Sequence, residues 1–147
     1  DPINANIIKD EILQLRTEGA TVIFSTHRME SVEELCDHIA LIHESKKILD
    51  GKLEDIKRQY KTNAFEVGLS TKHKTALKQT IAERFEIATA DFKSLEDDLK
   101  LNIKLTPNDS SDDLLAFLSR NASVNHYKEL IPNASEIFIQ TVKNNGL

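Results

Sequence analysis

The chain has 147 residues, 39% of them hydrophobic, which is enough apolar material for one ordinary domain or two small ones. Its formal net charge is −5, with 19 basic and 24 acidic residues. A nucleic-acid binder normally carries a basic excess that neutralises phosphates, so this charge argues against DNA or RNA as the main partner. The single cysteine, Cys36, cannot form an internal disulfide, which favours a cytoplasmic setting.

The sequence begins with Asp1-Pro2 instead of methionine, and no signal-peptide pattern opens it. We therefore expect a piece cut from a longer chain. The longest aliphatic runs, such as Ile39 to Ile42, are only a few residues long, whereas a spanning helix needs about 20. No segment of this sequence is expected to cross a membrane.

The opening segment, DPINANIIKDEILQLRTEG, predicts an amphipathic helix. Asp1 can cap its start, and Pro2 suits its first position. Three apolar residues recur on one helical face, namely Ile8, Ile12 and Leu15. We expect this apolar stripe to be covered by other parts of a protein.

The next segment, ATVIFST, has the consecutive apolar residues Val22, Ile23 and Phe24. Such a run is typical of a strand that is buried on both faces in a parallel sheet. A short helix is then predicted from Met29, followed by two strands in HIALIHESKKILDGK and an amphipathic helix in LEDIKRQYK. These elements predict that residues 1–62 form part of an α/β fold, with too few strands for a complete sheet.

A boundary is predicted near Asn63, because the order of elements changes there. Residues 63–147 alternate between strand and helix patterns in the order β-α-β-β-α-β. This order is that of the ferredoxin-like α+β fold, and NASEIFIQTVKN adds a terminal helix to it. The second domain is therefore predicted to span residues 63–147. Because ferredoxin-like folds host many functions, the pattern alone favours a regulatory or interaction module.

The first 62 residues resemble the end of the ATPase subunit of ATP-binding cassette (ABC) transporters. An apolar segment ends in Ser25-Thr26-His27, a Met-Glu-rich helix leads to Leu35-Cys36-Asp37, and the two-stranded segment ends in Asp50-Gly51. The resemblance implies that residues 1–62 are the last elements of a P-loop nucleotide-binding domain. Residues 63–147 resemble, more loosely, the small domain appended to cassette ATPases linked to sodium or drug export.

The resemblance implies roles for two residues. His27 matches the switch histidine, whose imidazole contacts the γ-phosphate of ATP and acts in catalysis. A lone histidine is usually structural or simply solvated, so the flanking pattern carries this assignment. Asp1 matches the aspartate of the D-loop, which reaches across the ATPase dimer, although it would serve equally as a helix cap.

The resemblance also implies the cofactors, the partners and the location of the parent protein. These are ATP and Mg²⁺ as cofactors, a second ATPase subunit, a transmembrane permease subunit, and a place on the inner face of the cell membrane. The parent is expected to couple ATP hydrolysis to export. A different class of function remains open, namely a free-standing ferredoxin-like binding module with no nucleotide chemistry.

Several motifs for nucleotide or metal binding are absent from this sequence. It has no G-x-x-x-x-G-K-[ST] phosphate-binding loop and no Ser-Gly-Gly signature. The chain by itself is therefore expected neither to bind ATP tightly nor to hydrolyse it. Cys36, His38 and His43 lie close in sequence, but the two histidines fall on opposite faces of a predicted strand, so no metal site is expected.

Overall fold

The computed structural model describes residues 2–146 and contains six helices and six strands within that range. The helices are α1 (Pro2–Thr17), α2 (Met29–Leu35), α3 (Leu53–Tyr60), α4 (Lys74–Ala82), α5 (Ser111–Asn121) and α6 (Ala134–Asn144). The strands are β1 (His38–His43), β2 (Lys46–Lys52), β3 (Ala64–Ser70), β4 (Glu86–Thr89), β5 (Leu99–Lys104) and β6 (Ser123–Glu129). Both sheets are antiparallel.

The chain forms two compact units that do not follow one another simply in sequence. The split unit consists of residues 2–60 and 132–146, and the inserted unit consists of residues 61–131. The chain thus leaves the split unit after α3 and returns to it for α6. The sequence-based division placed α6 with residues 63–131, whereas the structure packs α6 into the core of the split unit. The functional roles assigned to the two domains stay predictions.

The inserted unit has the sheet order β4-β5-β3-β6. Successive side chains along each strand point to opposite faces of the sheet. Residues such as Val67 on β3 and Ile103 on β5 are therefore buried on one face. Helices α4 and α5 supply Ile81 and Leu118 to the same apolar cluster. Strand order and helix placement agree with the predicted ferredoxin-like pattern.

The split unit is built around a hairpin and three of its helices. Strands β1 and β2 are joined by Glu44 and Ser45, both of which have positive φ, 48° and 62°, as a two-residue hairpin turn of type I′ requires. Its core contains residues from α2, β1, α3 and α6: Val32, Ile39, Leu41, Leu53, Ile56, Ala134 and Ile137. Among the described residues, no helix is long and apolar enough to span a bilayer.

The strand predicted for residues 20–26 is wrong. This segment has no regular secondary structure, and neither sheet of the described chain includes it. Ile23 is 92% exposed, and Val22 and Phe24 are each 36% exposed. A strand requires a neighbour for its backbone hydrogen bonds, and residues 2–146 supply none beside this segment. The apolar stripe of α1 is also exposed at Ile8 and Leu15.

Candidate functional site

His27 lies in a tight turn immediately before α2. The backbone N–H of Arg28 donates a hydrogen bond of 3.0 Å to the hydroxyl of Thr26, which closes the turn around His27. The side chain of His27 is exposed. The structure therefore presents the imidazole to solvent at the end of the apolar segment, and a hydrogen bond bridges the residues on either side of it.

Helix α2 has only seven residues and begins without a side-chain cap. The carbonyl oxygen of Arg28 accepts hydrogen bonds from the N–H groups of Ser31 and Val32, at 3.1 and 3.4 Å. A helix this short is marginal by itself, so its position depends on tertiary contacts. The main apolar contact is Val32, which is 7% exposed in the core of the split unit.

Two glutamates fix the polar side of α2. Glu34 pairs with Lys9 of α1, with 2.7 Å between Nζ and Oε2. Glu33 accepts hydrogen bonds from Lys57 of α3 and from the backbone N–H of Ala134, the first residue of α6. The helix that follows His27 is therefore held by contacts to three other helices.

A cavity of about 530 Å³ adjoins the start of α2. Its lining includes Arg28, Glu30, Glu33 and Asn133, so two carboxylates face it beside one guanidinium. This lining suits a triphosphate poorly, because phosphate sites need several N–H or cationic donors. His27 does not line this cavity, and we assign no nucleotide to it.

Three other residues singled out from the sequence lie in the described part of the chain, namely Cys36, His38 and His43. Asp1 lies outside the described residues. Burial raises the pKa of the Cys36 thiol, and the neighbouring charge of Asp37 adds to this effect, so the thiol stays protonated. His38 is exposed, whereas the ring of His43 packs edge-on against Phe138 with 6.3 Å between ring centroids. In residues 2–146, no group of three or more His, Cys, Asp or Glu side chains could hold a metal ion.

Comparison with known protein families gives a match to one family model. Residues 51–142 match the family model of the C-terminal domain of DrrA1-3-like ATP-binding proteins. The matched segment runs from the end of β2 through the whole inserted unit into α6. The chain belongs to this family. The DrrA1-3-like match thus includes most of α6, which the structure packs into the split unit.

Similar proteins with curated descriptions include ABC transporter ATP-binding proteins, which confirms the resemblance inferred from the sequence. An uncharacterized ABC transporter ATP-binding protein of Bacillus subtilis, YhaQ, is 30% identical over 97% of this chain and 45% of its own length. The ABC transporter ATP-binding protein NatA of Bacillus subtilis is 41% identical over 38% of this chain and 23% of its own length. A fluoroquinolones export ATP-binding protein of Mycobacterium tuberculosis is 45% identical over 29% of this chain and 14% of its own length. The chain thus spans less than half the length of these relatives.

The sequence did not indicate the role of Glu33. The start of α6 was readable, since Asn133 and Glu136 form a capping box that the pattern N-A-S-E encodes. Nothing in the sequence shows that Glu33 binds this helix start, because the two lie 101 residues apart. The available signal was only a cluster of glutamates on a short helix.

Proposed function

We propose that this chain is the C-terminal part of an ABC transporter ATP-binding subunit, in which His27 contacts the γ-phosphate of ATP. The observation that supports this most is the exposed imidazole in a closed turn, at the place where the family resemblance puts the switch histidine. The DrrA1-3-like match of the following residues supports the same parent protein.

The residues of this chain fit one contact to the nucleotide and not a complete site. A triphosphate with Mg²⁺ is held by several backbone N–H groups, a lysine and metal ligands, and the sequence lacks the loop that supplies them. When bound, ATP with Mg²⁺ supplies the phosphoryl group that is transferred to water. His27 would donate a hydrogen bond from a ring nitrogen to a γ-phosphate oxygen, and the Thr26–Arg28 turn would hold it in place.

The parent protein, as we propose it, couples ATP hydrolysis to export across a membrane. Its partners would be a transmembrane permease subunit and a second ATPase subunit, with Asp1 near the contact between the two ATPases. The subunit would lie on the inner face of the membrane. These proposals rest on the ABC transporter descriptions of relatives that this chain covers in part. The inserted unit would act as an accessory or regulatory module.

Replacing His27 in the full-length subunit, assembled with its permease, tests the proposal. We expect His27→Ala to lower ATP turnover by about 100- to 1,000-fold, because one preorganised donor to the developing negative charge is lost. The dissociation constant for ATP should change little, since most affinity comes from other phosphate and base contacts. His27→Gln, which keeps a side-chain donor, should lose less activity.

His38→Ala is the matched control, because His38 is also an exposed histidine of the split unit. Turnover and ATP affinity of this variant should equal those of the unaltered protein. Near-normal turnover in a folded His27→Ala protein would end the switch assignment. Equal loss in both variants would show a general sensitivity of the unit and would also contradict the proposal.

A further inference from the structure

Glu33 lies at a junction of three helices. Its carboxylate accepts one hydrogen bond from Lys57 Nζ on α3 and another from the N–H of Ala134 at the start of α6. The side chain of Glu33 is 28% exposed and that of Lys57 is 24% exposed. A carboxylate that is largely removed from water needs such donors, so these two contacts hold α2 strongly in one place.

The N-terminal cap of α6 leaves one backbone N–H free for the contact with Glu33. The capping box uses the side chains of Asn133 and Glu136, and its hydrogen bonds to the N–H groups of Glu136 and Asn133 are each 2.9 Å long. The N–H of Ala134 is directed instead to Glu33. A negative charge at a helix N-terminus is also favoured by the helix dipole. Glu33 therefore completes the N-terminus of α6 from another helix.

Apolar packing and a second polar contact attach the rest of α6. Ala134 and Ile137 are 2% and 0% exposed, in the same core cluster as Val32 of α2. Further along α6, Thr141 Oγ1 and the hydroxyl of Tyr60 are hydrogen-bonded at 2.8 Å. Helices α2, α3 and α6 thus share one core.

The position of α2 is transmitted to His27 over a short distance along the chain. Only Arg28 separates His27 from the first residue of α2, and the Thr26–Arg28 hydrogen bond closes the turn between them. A change in the orientation of α2 must move this turn. An active-site donor that is displaced by about 1 Å can lose about 100-fold in rate.

We propose that α6, docked through Glu33, positions His27 for catalysis, and that release of α6 lowers ATP turnover without weakening ATP binding. The inference rests on the proposed function of His27. Glu33 is then a positioning residue that acts through α2 and contacts no nucleotide. Since α6 is the segment that returns from the inserted unit, its docking is a point at which the inserted unit can regulate the ATPase.

The test uses the full-length subunit with its permease and three variants. Glu33→Ala removes both hydrogen bonds, Glu33→Gln keeps an amide oxygen that can accept from Ala134, and Glu30→Ala removes an exposed carboxylate of the same helix as the matched control. Amide exchange of residues 29–35 and 134–140, ATP turnover and the dissociation constant for ATP are measured for each. His27→Ala is measured alongside them.

We expect Glu33→Ala to speed exchange in both segments about tenfold or more, since hydrogen bonds to a charged group are lost. Turnover should also fall, with ATP affinity unchanged, because part of the protein then holds His27 out of position, and Glu33→Gln should recover part of the loss. Glu30→Ala should match the unaltered protein. If Glu33→Ala fails to fold, Glu33→Gln decides, because it must still show faster exchange and reduced turnover.

Faster exchange with normal turnover would overturn the inference, and so would reduced turnover without faster exchange. A weaker ATP affinity at unchanged turnover would also overturn it. If His27→Ala abolishes turnover while the Glu33 variants are normal, only this inference fails. If His27→Ala is active, the proposed function fails, and the inference fails with it, whatever the exchange data show about α6.

Discussion

At the scale of single residues, Gly68 on β3 shows how tightly the second face of the inserted sheet is built. A Cβ at this position would lie 3.0 Å from His126 Cβ, 3.0 Å from Phe92 Cζ and 3.2 Å from Asp98 Oδ2. The Phe92 ring stacks on His126 with 4.1 Å between ring centroids, and His126 Nε2 lies 2.8 Å from Glu66 Oε1. Because Gly68 has no side chain, Phe92, His126 and Asp98 can pack directly against the strand at this position.

Gly68→Ala should therefore destabilise the inserted unit by about 1–3 kcal/mol, as overpacking of a filled site usually does. Denaturant unfolding measures the change. Ser70→Ala is the control, since Ser70 is exposed two residues further along the same strand, and surface changes usually fall within about 0.5 kcal/mol. A Gly68→Ala protein as stable as the unaltered one would show that the cluster is loosely packed.

Tyr127 gives a pH-dependent expectation at the same scale. Burial raises the pKa of its phenol, the charges of Asp112 and Glu129 raise it further, and a hydrogen bond with Ser111 opposes the shift. Since the folded-state pKa exceeds the unfolded value of about 10, the associated stability is complete below that pH and is lost as pH rises through the folded pKa. The free energy of unfolding of the unaltered protein should thus fall faster above pH 10 than that of Tyr127→Phe.

Chemical denaturation at several values of pH from about 8 to about 11.5 measures this difference, a range that brackets the ordinary tyrosine pKa. The lysines titrate in both proteins and cancel in the comparison. A stability difference between the two proteins that stays constant across this range would contradict the raised pKa of Tyr127.

At the scale of elements, prediction from the sequence succeeded where an element carries its own periodicity. Strands such as β3 and β5 alternate apolar and polar residues, because each has one face on a helix layer. Prediction failed for residues 20–26, because a continuous apolar run indicates burial but does not supply the neighbouring strands. The start of α6 was readable from its capping box, but the core that the helix joins was not.

The candidate site shows the same division between local and distant information. His27 was singled out through the residues next to it in sequence, Ser25, Thr26 and the helix from Met29, and its role stays a prediction. Glu33 was missed because its partners, Lys57 and Ala134, are 24 and 101 residues away. Local patterns therefore singled out the histidine and predicted the helix that follows it, and only the packed structure revealed what holds that helix.

Ile137→Ala tests the packing of α6 as an element. Ile137 is fully buried in the core of the split unit, so truncation should destabilise that unit by about 2–5 kcal/mol. Amide exchange should become faster at Ile56 of α3 and stay unchanged at Ile103 of β5. Ile139→Ala, at a site that is 49% exposed on the same helix, should have little effect on either. A loss of protection at Ile103 instead would place α6 with the inserted unit.

At the scale of the whole molecule, the two units differ in how they are assembled from the chain. The core of the split unit joins α2, β1, α3 and α6, which come from both ends of the described sequence. The core of the inserted unit uses only residues between Phe65 and Tyr127. Because loop closure over short separations is entropically easier, the inserted unit is the better candidate for independent folding.

Residues 61–131, expressed alone, should therefore fold cooperatively. Four paired strands and two helices bury a common apolar cluster, and further backbone bonds within the unit join Leu105 to Asn63 and Leu130 to Ala64, at 2.9 and 2.8 Å. A single sigmoidal urea transition by circular dichroism, together with dispersed amide resonances, would establish the fold.

Residues 61–147 provide the comparison, because they add α6 without the partners that it has in the split unit. Val32 and Leu53, which share a core cluster with Ile137, are absent from that fragment. The additional helix should then add no stability and should leave the amides of residues 134–144 with little protection from exchange. If 61–147 were more stable than 61–131 by more than about 1 kcal/mol, roughly fivefold in the folding equilibrium, α6 would have a docking surface on the inserted unit itself. The division of the chain into a split unit and an inserted unit would then be wrong.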